Sequence, residues 1–156
     1  MNANEFIPLL GMIYDDEDVK RFLTGCGITK KPKMKQDSSD AYLVNKKLGL
    51  DITFTDERDV EVTSREYQDG ALVLSNIRMY GEGSSLNYQR FNGELPHGLS
   101  FDLGLLEVQA KFGRKPSAAN KNLGITRWDF KTYCLFINFD KTFKRIQSLA
   151  IQLPVE

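Results

Sequence analysis

Carboxylates are the potentially reactive side chains most concentrated in one place. Between Asp51 and Asp69 stand seven acids (Asp51, Asp56, Glu57, Asp59, Glu61, Glu66 and Asp69) against Arg58 and Arg65. Such a density can cage a metal, supply a general acid and base, or attract a basic partner. A calcium loop needs spaced ligands around a central glycine, and Asp56-Glu-Arg-Asp59 has neither. Period-two alternation sends Val60 and Val62 inward and Asp59, Glu61 and Thr63 outward, which predicts a solvated strand face or an acidic docking surface. His97 is the single histidine, so imidazole catalysis would have to run through it. It sits among turn formers in Leu95-Pro-His-Gly-Leu99, with no Gly-x-Ser-x-Gly element to supply a nucleophile, and reads as a solvent-facing turn residue. No catalytic residue is assigned.

The remaining reactive groups are sparse. Cys26 and Cys134 are the only cysteines. A disulfide between them would join the two halves, but two buried thiols suit a cytosolic chain better. Two cysteines and one histidine do not complete a four-ligand zinc site of the usual kind, so no metal or cofactor is expected. Gly25-Cys-Gly27 stands at a helix end, where the partial charge repels phosphate, and Gly81-Glu-Gly83 lacks the strand, third glycine and helix of a dinucleotide site. The lysine-rich stretches 29–39 and 114–122 carry no interleaved aromatic platform for stacking bases.

The elements that would position these groups follow from spacing. Val19, Phe22 and Leu23 fall on one face of a helix running from Asp15 or Asp16 to the glycines at 25 and 27. Leu105, Val108 and Phe112 mark a second helix over 103–112, capped by Ser100 or Asp102 and ended by Gly113. Phe6, Ile7, Leu9, Leu10 and Ile13 recur at near-helical spacing, although Pro8 and Gly11 interrupt them. Leu50, Ile52 and Phe54 alternate with Asp51, Thr53 and Thr55, the signature of a strand with one wet face. Further strands are expected at 60–62, 71–80, 85–91, 128–130, 133–139 and 145–153. The connections are too short for crossovers, so neighbours should be antiparallel. The fold class is α+β: an antiparallel sheet of about seven to nine strands with two main helices on one face.

At 156 residues the chain suits a single domain, 1–156, with two pseudo-repeat halves, 1–81 and 82–156, meeting in the glycine-rich joint 81–98. Hydrophobic residues make up 41% and charged residues 27%, which excludes a disordered chain. The formal charge of zero argues against direct nucleic-acid binding, and no apolar run approaches the roughly 20 residues of a membrane span. The opening Met-Asn-Ala-Asn-Glu-Phe-Ile-Pro has neither a basic start nor an apolar core, so a cytoplasmic location is expected.

From Asn87 to Pro154 the order of motifs carries a resemblance. Tyr88-Gln-Arg-Phe-Asn-Gly-Glu-Leu-Pro-His-Gly-Leu-Ser-Phe101 leads into a helix ending Lys111-Phe-Gly-Arg-Lys-Pro116, then Trp128, Leu135-Phe-Ile-Asn-Phe-Asp140 and a last strand ending Leu153-Pro154. This resembles small bacterial immunity proteins of contact-dependent inhibition and related polymorphic-toxin loci. Similar helix–glycine–proline–aromatic–strand units occur in tandem-repeat β-lactamase inhibitor proteins and in an outer-membrane assembly lipoprotein, which are exported. The resemblance implies a cytosolic inhibitor that binds its cognate toxin C-terminal domain, commonly a nuclease with a basic cleft, and blocks it sterically. It supplies no catalytic residues. Such an inhibitor would bury about 800 Å² per partner. The expected docking residues are Asp56, Glu57, Asp59, Glu61, Glu66 and Asp69, with Tyr67 as an aromatic anchor. The alternative is a non-catalytic scaffold, for example a homo-oligomer joined through an edge strand.

Overall fold

The computed structural model describes residues 1–61, 65–83 and 86–154. It is an α+β fold built on one seven-stranded antiparallel sheet. Helix α1 (Glu17–Gly25) precedes β1 (Asp40–Asn45), β2 (Leu50–Asp56) and β3 (Leu72–Tyr80). Helix α2 (Leu105–Phe112) precedes β4 (Ala118–Asn120), β5 (Ile125–Asp129), β6 (Cys134–Phe139) and β7 (Ile146–Gln152). The spatial order is β1-β2-β3-β7-β6-β5-β4. Each half therefore runs helix then meander, and the last strands of the two halves, β3 and β7, pair at the centre.

Alternation along every strand sorts side chains onto two faces. On the closed face, Leu50, Ile52 and Phe54 of β2, Ile77 and Met79 of β3, Leu149 and Ile151 of β7, Leu135 and Ile137 of β6 and Trp128 of β5 are all fully buried. Val19 and Leu23 of α1 and Val108 of α2 belong to the same core cluster. Burying each large side chain stabilises the fold by about 1.5–3 kcal/mol, so this layer supplies most of the driving force. The opposite face carries Tyr42, Asp51, Thr53, Asn76, Arg78, Ser148, Gln152 and Asn138, aligned across the strands by their pairing register. Among the described residues no helix covers it, and none is long and apolar enough to cross a membrane.

Local chemistry sets the boundaries and corrects several expectations. Helix α1 is shorter than 15–27: Asp16 caps it by accepting from the Asp18 N–H at 2.8 Å, and the chain leaves it at Cys26. Pro8 and the left-handed Gly11 (φ +88°) break the preceding apolar run into two 3₁₀ turns, Ala3–Glu5 and Ile7–Leu9. Helix α2 starts at Leu105 with Gly104 as its cap, not Ser100 or Asp102. The Glu107 carboxylate accepts the Gly104 N–H at 3.2 Å, and Ser100 instead closes the preceding turn by accepting from Asp102. Residues 86–91 are turn and irregular chain rather than strand, and Ser85 lies outside the described residues. Val60 ends a 3₁₀ turn over Glu57–Asp59, while the expected continuation through Val62 and Thr63 lies outside the described residues. Strands β1 and β4 were not anticipated.

Candidate docking face

The open face carries a groove of about 520 Å³ running over β1, β2 and β3, with Asp40, Tyr42, Asp51, Asp59, Glu61 and Arg78 among its walls. Its position follows from a β-bulge. The β2–β3 register shifts between Thr53 and Phe54, leaving Ser75 as the extra residue, and a bulge bends and twists the sheet. Hydroxyls knit the floor. Thr55 Oγ1 lies 2.7 Å from Ser75 Oγ and donates to Asp40 Oδ1 at 2.7 Å, and Ser75 Oγ donates to the Thr53 carbonyl at 3.2 Å. A second concavity of about 440 Å³ continues over β3, β7 and β6 past Tyr80, Asn138 and Ser148. Arg78 belongs to both, and donates to Ser148 Oγ at 3.3 Å.

Asp51 is the most unusual group in the groove. It sits cross-strand from Arg78, and its Oδ1 is buried with no hydrogen-bond partner. Burial pushes its carboxyl above the ordinary carboxylate range, against the pull of the Arg78 guanidinium and the Tyr80 hydroxyl. Tyr80 in turn stacks on Tyr88 at 3.8 Å, with Lys46 Nζ 5.6 Å from the Tyr88 ring. Burial raises both phenols, Tyr88 to about 12, so the pair stays protonated at neutral pH. Counting charges around the first concavity, Asp40, Asp51, Asp59 and Glu61 face one cation, Arg78. The groove is acidic within a chain whose total charge is zero.

The docking set expected from sequence divides. Asp59 and Glu61 are exposed and form one wall of the groove. Asp56 is engaged within the chain: it binds Arg58 through two contacts of 3.1 Å and accepts the Arg58 N–H at 3.0 Å, so Arg58 holds its carboxyl below the usual range. Glu57 lies half-buried on the same 3₁₀ turn, while Glu66 and Asp69 are exposed further along the chain. Tyr67 is a tether: its hydroxyl donates to the Gly11 carbonyl at 2.6 Å and ties this segment to the N-terminal turns. The exposed aromatic is instead Tyr42, 60% accessible, with Val44 at 45% beside it on the same strand. Sequence reading placed Asp51 on the wet face of its strand but did not single it out. Asp40 and Tyr42 carry no comparable signal in the sequence, because they follow a lysine-rich stretch in a short, mixed strand.

His97 is not the solvent-facing residue expected. It is half-buried in the left-handed conformation (φ +58°), stacks on Phe130 at 4.6 Å and hydrogen-bonds Tyr133 through Nε2. Burial, and then the neighbouring Arg114, lower the imidazole pKa, while burial raises the Tyr133 phenol to about 12. At neutral pH the pair is therefore a neutral imidazole hydrogen-bonded to a protonated phenol, which is no activated nucleophile. Arg114 lies 5.1 Å from the Phe130 ring and 5.8 Å from Trp128 and donates to the Asp129 carbonyl at 2.7 Å. This cluster clamps the turn before α2 to the β5–β6 connection. Trp128 itself is fully buried, so it belongs to the core and anchors no interface.

The thiols are both buried and form no disulfide. Cys26 lies in the closed-face core, its thiol pushed to about 12 by burial. Cys134 stands on the other side of the sheet, in register with Gln152, and donates to Asp129 Oδ1 at 3.2 Å. Among the described residues no three His, Cys, Asp or Glu side chains converge as metal ligands.

No family model matches the chain, and no curated protein matches it. A solved structure that does match is the crystal structure of a cysteine-rich secretory protein from Staphylococcus aureus, at a TM-score of 0.52 and 10% identity. The alignment covers 94% of this chain and 44% of that one, so the chain spans less than half of that protein's length. At this identity the likeness speaks to the fold alone.

Proposed function

We propose that this chain is a cytosolic immunity protein that binds a cognate bacterial toxin domain and covers its active site. The observation that carries this reading is the acid-walled groove on an uncovered sheet face. A sheet with one face buried in a packed core is stiff, and a stiff polar face can dock without a large ordering cost. Asp40, Asp51, Asp59 and Glu61 complement the basic cleft of a nuclease, where they would stand in for nucleic-acid phosphate and speed encounter. No step of this mechanism makes or breaks a covalent bond. The inhibitor acts by occupying the space that the toxin's substrate needs.

The test is co-expression with the C-terminal domain of any large secreted toxin encoded immediately upstream. The expected result is co-purification through a tag on either protein and rescue of growth. Failure of both, with the two proteins soluble, overturns the reading.

A further inference from the structure

We propose that β1 accepts an additional strand from a basic partner segment, so that recognition is by strand addition beside the acidic groove. This rests on the reading of the chain as a binder of a basic protein. The phase of the β1–β2 ladder carries the argument. Asp56 N–H donates to the Ser39 carbonyl at 2.8 Å, and Ser39 and Asp56 continue the register in which Asp40 faces Thr55. In an antiparallel ladder the hydrogen-bonded residues alternate. Ala41, Leu43 and Asn45 therefore point their backbone groups at β2, while Asp40, Tyr42 and Val44 turn theirs outward. The Ser38 hydroxyl occupies the outward groups of Asp40, accepting its N–H at 3.2 Å and donating to its carbonyl at 3.0 Å. Among the described residues no further strand pairs with the outward groups of Tyr42 and Val44, since β1 ends the sheet.

Natural sheets guard such edges with lysine, proline, a bulge or a covering loop. β1 carries none of these residues and no register shift: it reads Asp-Ala-Tyr-Leu-Val-Asn, and its ladder to β2 is regular from Asp40 to Asn45. Tyr42 and Val44, which offer those backbone groups, present their side chains on the open face, as does Asp40. Tyr42 and Val44 are exposed, and Asp40 belongs to the groove wall together with Asp59 and Glu61. An added strand would gain main-chain hydrogen bonds from the edge, and its alternate side chains would lie beside those acids. Charge complementarity selects the occupant. Lysine or arginine at alternate positions of the incoming strand fits, whereas a second copy of β1 would bring a further Asp40 and groove to an already acidic face.

The probe is a capped twelve-residue peptide of alternating arginine and threonine, titrated at low salt into the intact chain. Binding should slow hydrogen exchange at the Tyr42 and Val44 amides, and the affinity should fall as salt rises. The double variant Asp59→Asn, Glu61→Gln removes two exposed charges and should weaken binding about fivefold. Val44→Pro removes one outward N–H without touching the bonds to β2, as edge positions allow, and should abolish the protection while the thermal transition stays cooperative. Absence of binding, binding without protection of these two amides, or equal affinity for the double variant would overturn the proposal. So would protection of the same amides in the peptide-free chain sedimenting as a dimer, because the occupant would then be a second copy. None of these outcomes depends on a toxin, so failure here leaves the immunity reading to its own co-expression test.

Discussion

Neighbouring residues on one strand do opposite work. Leu50, Ile52 and Phe54 are buried in the core cluster, whereas Asp51, Thr53 and Thr55, each one position away, form the floor of the groove. The closed face is a single apolar cluster that draws residues from α1, α2 and both meanders. The open face is a network of hydroxyls, amides and charges over small central residues, Ser148 and Ala150. The difference teaches that the two faces can be altered separately. Stability resides in the layer that water never reaches, and the proposed recognition in the layer that remains wet.

The strongest way to break this separation is to hollow the closed face. Trp128→Ala should destabilise the chain by about 3–5 kcal/mol in a denaturant titration. A loss below about 1 kcal/mol would mean that this end of the sheet is not core. Next is Gly49, which turns the β1–β2 hairpin at φ +68° and would place a Cβ 2.2 Å from the Gln89 carbonyl. Gly49→Ala forces both a disfavoured backbone and a backbone displacement, and should lower stability by more than about 1 kcal/mol.

The His97 clamp sharpens the comparison through pH. Its folded pKa is lowered, so the unfolded chain takes up the proton first. The stabilising contribution is complete above the ordinary imidazole value of about 6.5 and is lost as pH falls from there toward the folded value. Comparing thermal midpoints at pH 7.5 and 5.0 should show a drop in the parent that is smaller in His97→Gln.

Asp51 behaves in the opposite sense. Its folded pKa is raised, so its contribution is present below the ordinary carboxylate value and declines as pH rises through the interval up to the folded value. Asp51→Asn should therefore melt at or above the parent temperature at pH 7 and should weaken binding of the proposed partner. A clear loss of stability would place Asp51 among the structural residues. The smallest thermal effect belongs to Tyr42→Ala, expected within about 0.5 kcal/mol of the parent in stability but reduced in partner affinity.

Much of the closed face was legible because its signals are local. The alternation at 50–55 and the apolar spacing of 19–23 and 105–112 report burial directly, and each element formed there. Helix starts were less legible because Ser100 and Asp102 both have capping side chains, while the actual cap, Gly104, is chosen by packing. Its Cα lies where a Cβ would come 2.7 Å from the Phe143 carbonyl. The docking face was only partly readable for the same reason. Asp59 and Glu61 share a groove with Asp40 and Asp51 through strand pairing, a relation between distant positions that no local spacing encodes. Tyr67 has the composition of an anchor, yet its hydroxyl is committed to Gly11, 56 positions away.

The most direct measurement is amide exchange on a complex with the proposed toxin partner, compared residue by residue with the unbound chain. Slowed exchange at Tyr42 and Val44 and along the wall at Asp59 and Glu61, with α1 and α2 unchanged, is the predicted pattern. Protection confined to the helices, or a stable complex that leaves β1 exchanging as before, would contradict the assignment of recognition to the open face.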